Sequence, residues 1–127
     1  MASAPRVLIC DDAAGFRLLT RTVLADAGFD VVGAAADWDE AIAMATESKP
    51  DAIVLDLWLP TFERDQVERV RDSAPNALIA VVSSLAIDEA RRMVDGIDGI
   101  GAVISKRDPP DAIVSTIRER LGVGDAP

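Results

Sequence analysis

Four short stretches of this sequence carry side chains that could do chemistry together: Asp11-Asp12, Asp56, Ser83-Ser84 and Lys106. Asp56 is the oddest placed, inside the apolar run Ala52-Ile53-Val54-Leu55-Asp56-Leu57-Trp58-Leu59-Pro60. An unpaired buried carboxylate is costly, so such a residue should be ion-paired, metal-bound or at the exposed end of its element. Three carboxylates brought together raise one another's pKa values unless a cation compensates. An all-oxygen ligand set with room for water suits Mg²⁺, with Mn²⁺ as a substitute. A lysine supplies a compact charge, and a serine a hydrogen bond, for the oxygens of a phosphoryl group. An aspartate in those surroundings is placed to act as a nucleophile and form an acyl phosphate.

Such a cluster requires elements that bring residues 11, 56, 83 and 106 to one place. Short β-branched runs alternate with longer segments of helical period. Strands are predicted over 6–10, 31–35, 52–56, 77–83 and 102–105. The first helix carries Phe16, Leu19, Val23, Leu24 and Ala27 and stops at Gly28. Trp38–Ser48 is the second helix, and a third follows Pro60 with Val67 and Val70 inward. A fourth begins near Asp88 and carries Ala90, Met93, Val94 and Ile97, and Gly96–Gly101 is expected to be a mobile glycine-rich loop. Pro109-Pro110 opens the fifth, with Ile113, Val114, Ile117 and Leu121 at helical spacing. The tail from Val123 to Pro127 is expected to fray.

Strand–helix alternation predicts an α/β fold, a doubly wound parallel sheet with helices on both faces and right-handed crossovers. The strands are unbroken apolar runs, as a sheet covered on both sides demands. In such sheets ligands gather at the carboxyl ends of the strands, where the four stretches fall.

Composition narrows the function classes. The 127 residues suit a single domain over 1–127 with a core of about 6–121. A net charge of −9 speaks against direct binding of nucleic acid or an anionic membrane. There is no histidine, which excludes imidazole metal sites, histidine-based triads and any phosphohistidine on this chain. Cys10, the single cysteine, allows no internal disulfide and fits as a small buried hydrophobe. No signal-peptide pattern and no membrane-length apolar run are present, so a cytoplasmic location is expected.

The segments "VLICDDAAGFR", "DAIVLDLWLP", "IAVVSS" and "AVISKRDPP", in that order over roughly residues 6 to 121, resemble the motifs of the response-regulator receiver domain (CheY-like) of two-component signalling. The resemblance implies a flavodoxin-like (βα)5 fold with strand order 2-1-3-4-5. It implies a phosphorelay switch that takes a phosphoryl group on Asp56 from a sensor histidine kinase or phosphotransfer protein, with Mg²⁺ required. Carried over by residue, Asp12 and Asp56 are direct metal ligands, Asp11 acts largely through water, and the backbone carbonyl of Trp58 completes the set. Lys106 pairs with Asp56 or its phosphoryl group, and Ser83 moves toward that group on activation. The implied partners also include a downstream protein target or an effector domain C-terminal to this chain, with a homodimer possible on phosphorylation.

Three features depart from the family pattern. The residue three before the lysine is Val103, where an aromatic is usual, and the chain has no tyrosine. The small turn after the proline is replaced by Thr61-Phe62-Glu63-Arg64-Asp65. Trp58 is bulky and could shield an acyl phosphate from water, whereas Arg17 reads as a surface charge and Ser84 as a position needing a small side chain. Two competing readings follow: a degenerate receiver that binds proteins without phosphorylation, or an aspartyl phosphatase. The second class generally needs Asp-x-Asp, and position 58 is tryptophan.

Overall fold

The computed structural model describes residues 4–123; of the tail expected to fray, 124–127 lie outside the described residues. Five strands and five helices alternate: β1 Arg6–Cys10, α1 Ala14–Asp26, β2 Asp30–Ala35, α2 Trp38–Ser48, β3 Ala52–Leu55, α3 Arg64–Ser73, β4 Leu78–Ser83, α4 Ile87–Met93, β5 Ile100–Ser105 and α5 Asp111–Leu121. The strands form one parallel sheet in the order β2-β1-β3-β4-β5. This is the parallel sheet that the alternation predicts, in the flavodoxin-like order that the resemblance implies.

Alternate residues of each strand feed opposite cores, because side chains in a strand point to opposite faces. Leu8 and Cys10 of β1, Ile53 and Leu55 of β3, and Ile79 and Val81 of β4 join Ala41 and Ala45 of α2 and Val67 and Val70 of α3. Val7, Ile9, Val54, Ala80 and Val82 turn the other way, onto Leu24 of α1 and Ile113, Val114 and Ile117 of α5. The three central strands are buried throughout apart from Arg6 and Leu78 at their starts, which is why their sequences carry no alternation of polar residues.

Local signals fix the helix ends. Asp37 caps α2, its Oδ1 accepting from Glu40 N–H at 2.8 Å, while Glu40 Oε1 accepts from Ala36 N–H at 2.8 Å. Gly28 takes φ +93 just past α1, a conformation costly for any residue with a Cβ.

Three details differ from the sequence expectation. Asp56 lies one residue beyond β3 rather than within it. α4 stops at Met93, so Val94 and Ile97 are buried in the turns that follow the helix. Ile100 and Gly101 belong to β5, which leaves a shorter glycine loop than the composition implied. Gly96 and Gly99, at φ +81 and +89, form that turn.

Candidate functional site

Asp11, Asp56 and Lys106 each sit one step past the end of a strand, held there by a backbone bond that extends the ladder, while Ser83 closes β4 itself and Asp12 follows Asp11. Asp11 N–H donates to the Ala35 carbonyl at 3.0 Å, Asp56 N–H to the Cys10 carbonyl at 2.8 Å, and Lys106 N–H to the Ser83 carbonyl at 2.8 Å. The register pairs Cys10 with both Ala35 and Leu55, and Ser83 with Ser105. Residues distant in the chain are thereby placed at one level on one rim.

There Asp11, Asp12 and Asp56 each offer a carboxylate oxygen, all within 4.8 Å of one another. Lys106 Nζ lies 2.6 Å from Asp11 Oδ2 and 3.1 Å from Asp56 Oδ2. Asp11 is 1% exposed and Asp56 7%, whereas Asp12 is open to solvent. Asp11 Oδ1 accepts from Ala13 N–H at 2.8 Å, and Asp56 Oδ1 from Trp58 N–H at 3.0 Å. The lysine head also lies 4.3 Å from the centre of the Phe16 ring, a favourable site for a cation.

Electrostatics reflect this crowding. Burial raises the pKa of Asp56 above the ordinary carboxylate value, opposed by the Trp58 N–H bond and the Lys106 charge and assisted by Asp11. For Lys106, burial works against the ammonium, but the hydrogen bonds and charges of Asp11 and Asp56 outweigh it and the pKa rises. The lysine therefore stays charged, while one cation faces three carboxylates. That deficit, with an all-oxygen donor set, fits a hard divalent cation such as Mg²⁺.

A cleft of about 340 Å³ opens over the cluster, lined by Asp12, Asp56, Trp58, Ser83, Ser84, Leu85 and Lys106. Ser83 is buried, its Oγ accepting from Leu85 N–H at 3.1 Å. Trp58 is 40% exposed and stacks on Phe62, centroids 5.6 Å apart. A groove of about 440 Å³ elsewhere, beside Arg91, Ile97, Val103 and Arg120, gathers no comparable acidic group; chemistry and not size distinguishes the site. Cys10 is fully buried, and burial pushes its thiol pKa far up, as expected of a core residue.

Arg17, expected as a surface charge, instead donates from Nη1 to the Asp11 carbonyl at 2.7 Å and braces the β1–α1 loop. Its position six residues after Asp11, on the first turn of α1, was the available signal. Phe16 beneath the lysine was read as a core residue alone. Arg64, within the segment 61–65 that departs from the family pattern, reaches from α3 to the carbonyls of Met93 and Asp95, a contact the sequence does not specify.

The sequence model of the family described as response regulator receiver domain matches residues 7–118. The chain is 36% identical over 81 residues to the chemotaxis protein CheY of Thermotoga maritima, covering 63% of this chain and 68% of that protein. It is 33% identical over 119 residues to a protein-glutamate methylesterase/protein-glutamine glutaminase of Archaeoglobus fulgidus, 91% of this chain but 34% of that protein. It spans about a quarter of two further such enzymes, from Anaeromyxobacter dehalogenans and Geobacter metallireducens, covering 24% and 28% of their lengths. Among solved structures, a CheY-like receiver domain protein from Methanospirillum hungatei superposes with a TM-score of 0.83 at 26% identity, covering 94% of this chain and 95% of the other.

Proposed function

This chain belongs to the response-regulator receiver domain family, and on that footing we propose that it accepts a phosphoryl group on Asp56 and thereby switches its binding to other proteins. The observation that carries this reading is the meeting of Asp11, Asp12, Asp56 and Lys106, from three different strand ends, around one open cleft. In the proposed reaction an Asp56 carboxylate oxygen attacks phosphorus. The Asp56 O–P bond forms as the N–P bond of a donor phosphohistidine breaks, and the donor imidazole leaves.

Asp12 and Asp56 would hold Mg²⁺ (or Mn²⁺) directly, Asp11 largely through water, and the Trp58 carbonyl would complete the protein's share. Bound there, the ion would supply compensating charge for the phosphoryl oxygens. Lys106 neutralises a further phosphoryl oxygen, and Trp58 N–H holds the carboxylate in place. Ser83 gives up its bond from Leu85 N–H to donate to the phosphoryl group. Population shift toward that arrangement is the switch.

The whole of 1–127 acts as one receiver domain, and its only chemistry is gain and loss of its own phosphoryl group. The donor is a sensor histidine kinase or phosphotransfer protein. The output is a bound protein, a second copy of the chain, or an effector domain joined to this one in a longer protein. Among the described residues no helix is long and apolar enough to cross a membrane, which supports a cytoplasmic setting. A second reading, a receiver that binds partners without phosphorylation, draws on Val103 standing where the family has an aromatic.

Intact-mass measurement after incubation with acetyl phosphate and Mg²⁺ separates the two readings. One hydroxylamine-sensitive phosphoryl adduct is expected, absent without Mg²⁺ and absent in Asp56→Asn. An unmodified mass under these conditions overturns the phosphoacceptor reading and favours the second.

A further inference from the structure

Resting on the phosphoacceptor reading, we propose that Arg64 is a positioning residue that ties the chemical state of Asp56 to the C-terminal end of α4. The loop between β3 and α3 begins at the reacting carboxylate, where Trp58 N–H donates to Asp56 Oδ1 at 3.0 Å. The Trp58 ring then stacks on Phe62. Trp38 Nε1 donates to the Thr61 carbonyl at 2.8 Å, giving the loop a pivot on α2. Arg64 follows as the first residue of α3.

From there its Nη1 donates to the Met93 carbonyl at 3.0 Å and its Nη2 to the Asp95 carbonyl. The last carbonyls of a helix lack intrahelical partners, and a cation is favoured beside them. The chain makes room for this contact. Gly96 has φ +81, and a Cβ built on it would stand 3.3 Å from Arg64 Nη2.

α4 is poorly held otherwise. It has seven residues, no side-chain N-cap, and Ala90 as its one buried member. Elements with so little burial open at low free energy and are the ones available to move. Phosphorylation turns a carboxylate into the neutral carbonyl of an acyl phosphate, which weakens a charge-assisted bond such as that from Trp58 N–H. The loop relaxes about its pivot, and Arg64 passes the displacement to the end of α4. This route needs no aromatic side chain at Val103.

Hydrogen exchange read by mass spectrometry on the full chain tests this, with and without acetyl phosphate plus Mg²⁺. In the unmodified protein, Arg64→Ala should exchange the amides of 91–97 faster, by about fivefold for each of the two hydrogen bonds lost. Arg64→Lys, which keeps the charge but cannot bridge two carbonyls, should fall between. Phosphorylated wild-type protein should show faster exchange over 91–97, and phosphorylated Arg64→Ala no further change. An Arg64→Ala protein that takes the adduct and alters 91–97 on phosphorylation as the wild type does overturns the proposal, as does unaltered exchange in its unmodified form. Failure of the underlying phosphoacceptor reading looks different: the wild-type protein then carries no adduct.

Discussion

Lys106 Nζ lies nearer to Asp11, at 2.6 Å, than to the proposed phosphoacceptor Asp56, at 3.1 Å. The lysine holds a buried acidic pair together, and on the proposed reading it also faces the incoming phosphoryl group. Removing one partner of a buried ion pair leaves the other charge uncompensated. Lys106→Met should destabilise the metal-free protein by about 2 kcal/mol, below the usual range of about 3–5 kcal/mol because the lysine head is partly wet. It should also slow adduct formation at saturating Mg²⁺. Urea denaturation and the time course of intact mass measure the two effects, and a variant as stable as wild type would argue against this pairing.

Asp56 should make stability depend on pH in a definite direction. Its folded-state pKa is raised, chiefly by burial. Between the unfolded and folded values the native state binds more protons, so this group's contribution is complete below the unfolded value and is lost as pH rises through the folded one. Ionised Asp56 thus costs stability at neutral pH without metal. Asp56→Asn should raise the urea midpoint at pH 7, by an amount that narrows toward pH 4. A variant less stable than wild type at pH 7 would contradict the assignment.

Thr20 offers a simpler test of the same physics. It is 1% exposed on α1 and its hydroxyl has no hydrogen-bond partner. Thr20→Val removes a buried unsatisfied group while conserving shape, and should stabilise the protein by about 1 kcal/mol, or about 4 °C in Tm for a chain of this size. Calorimetry decides it, and a fall in Tm would mean the hydroxyl has a role in the fold.

Trp58 lines the cleft beside Asp56 and is backed by Phe62. On the phosphoacceptor reading, its ring should limit the approach of water to a phosphorylated Asp56. Trp58→Ala should shorten the lifetime of the adduct several-fold while leaving the modified residue unchanged. Decay of the adduct mass after removal of acetyl phosphate is the readout, and an unchanged lifetime would assign the ring to packing alone.

The fold was legible because its signals are local and repeated. Each apolar run ends at a residue of different chemistry, and the strand-end rule placed Asp11, Asp56 and Lys106 on one rim before any coordinates. The end of α4 was not legible. Ala90, Val94 and Ile97 keep helical spacing, but Gly96 at φ +81 breaks the backbone between them while burial of the last two continues. Arg17 and Arg64 were missed for a different reason. Both act by donating to main-chain carbonyls, and carbonyls are the same at every position of a sequence.

Chain order sets when this centre can come into being. Asp11 and Asp12 follow β1, the first of the five strands in the chain, whereas their ammonium partner comes from beyond β5 at residue 106. A growing chain carries an uncompensated acidic pair until almost the whole domain has left the ribosome. The complete cluster can therefore form only once β5 has been made, and shorter products hold the carboxylates without this ammonium.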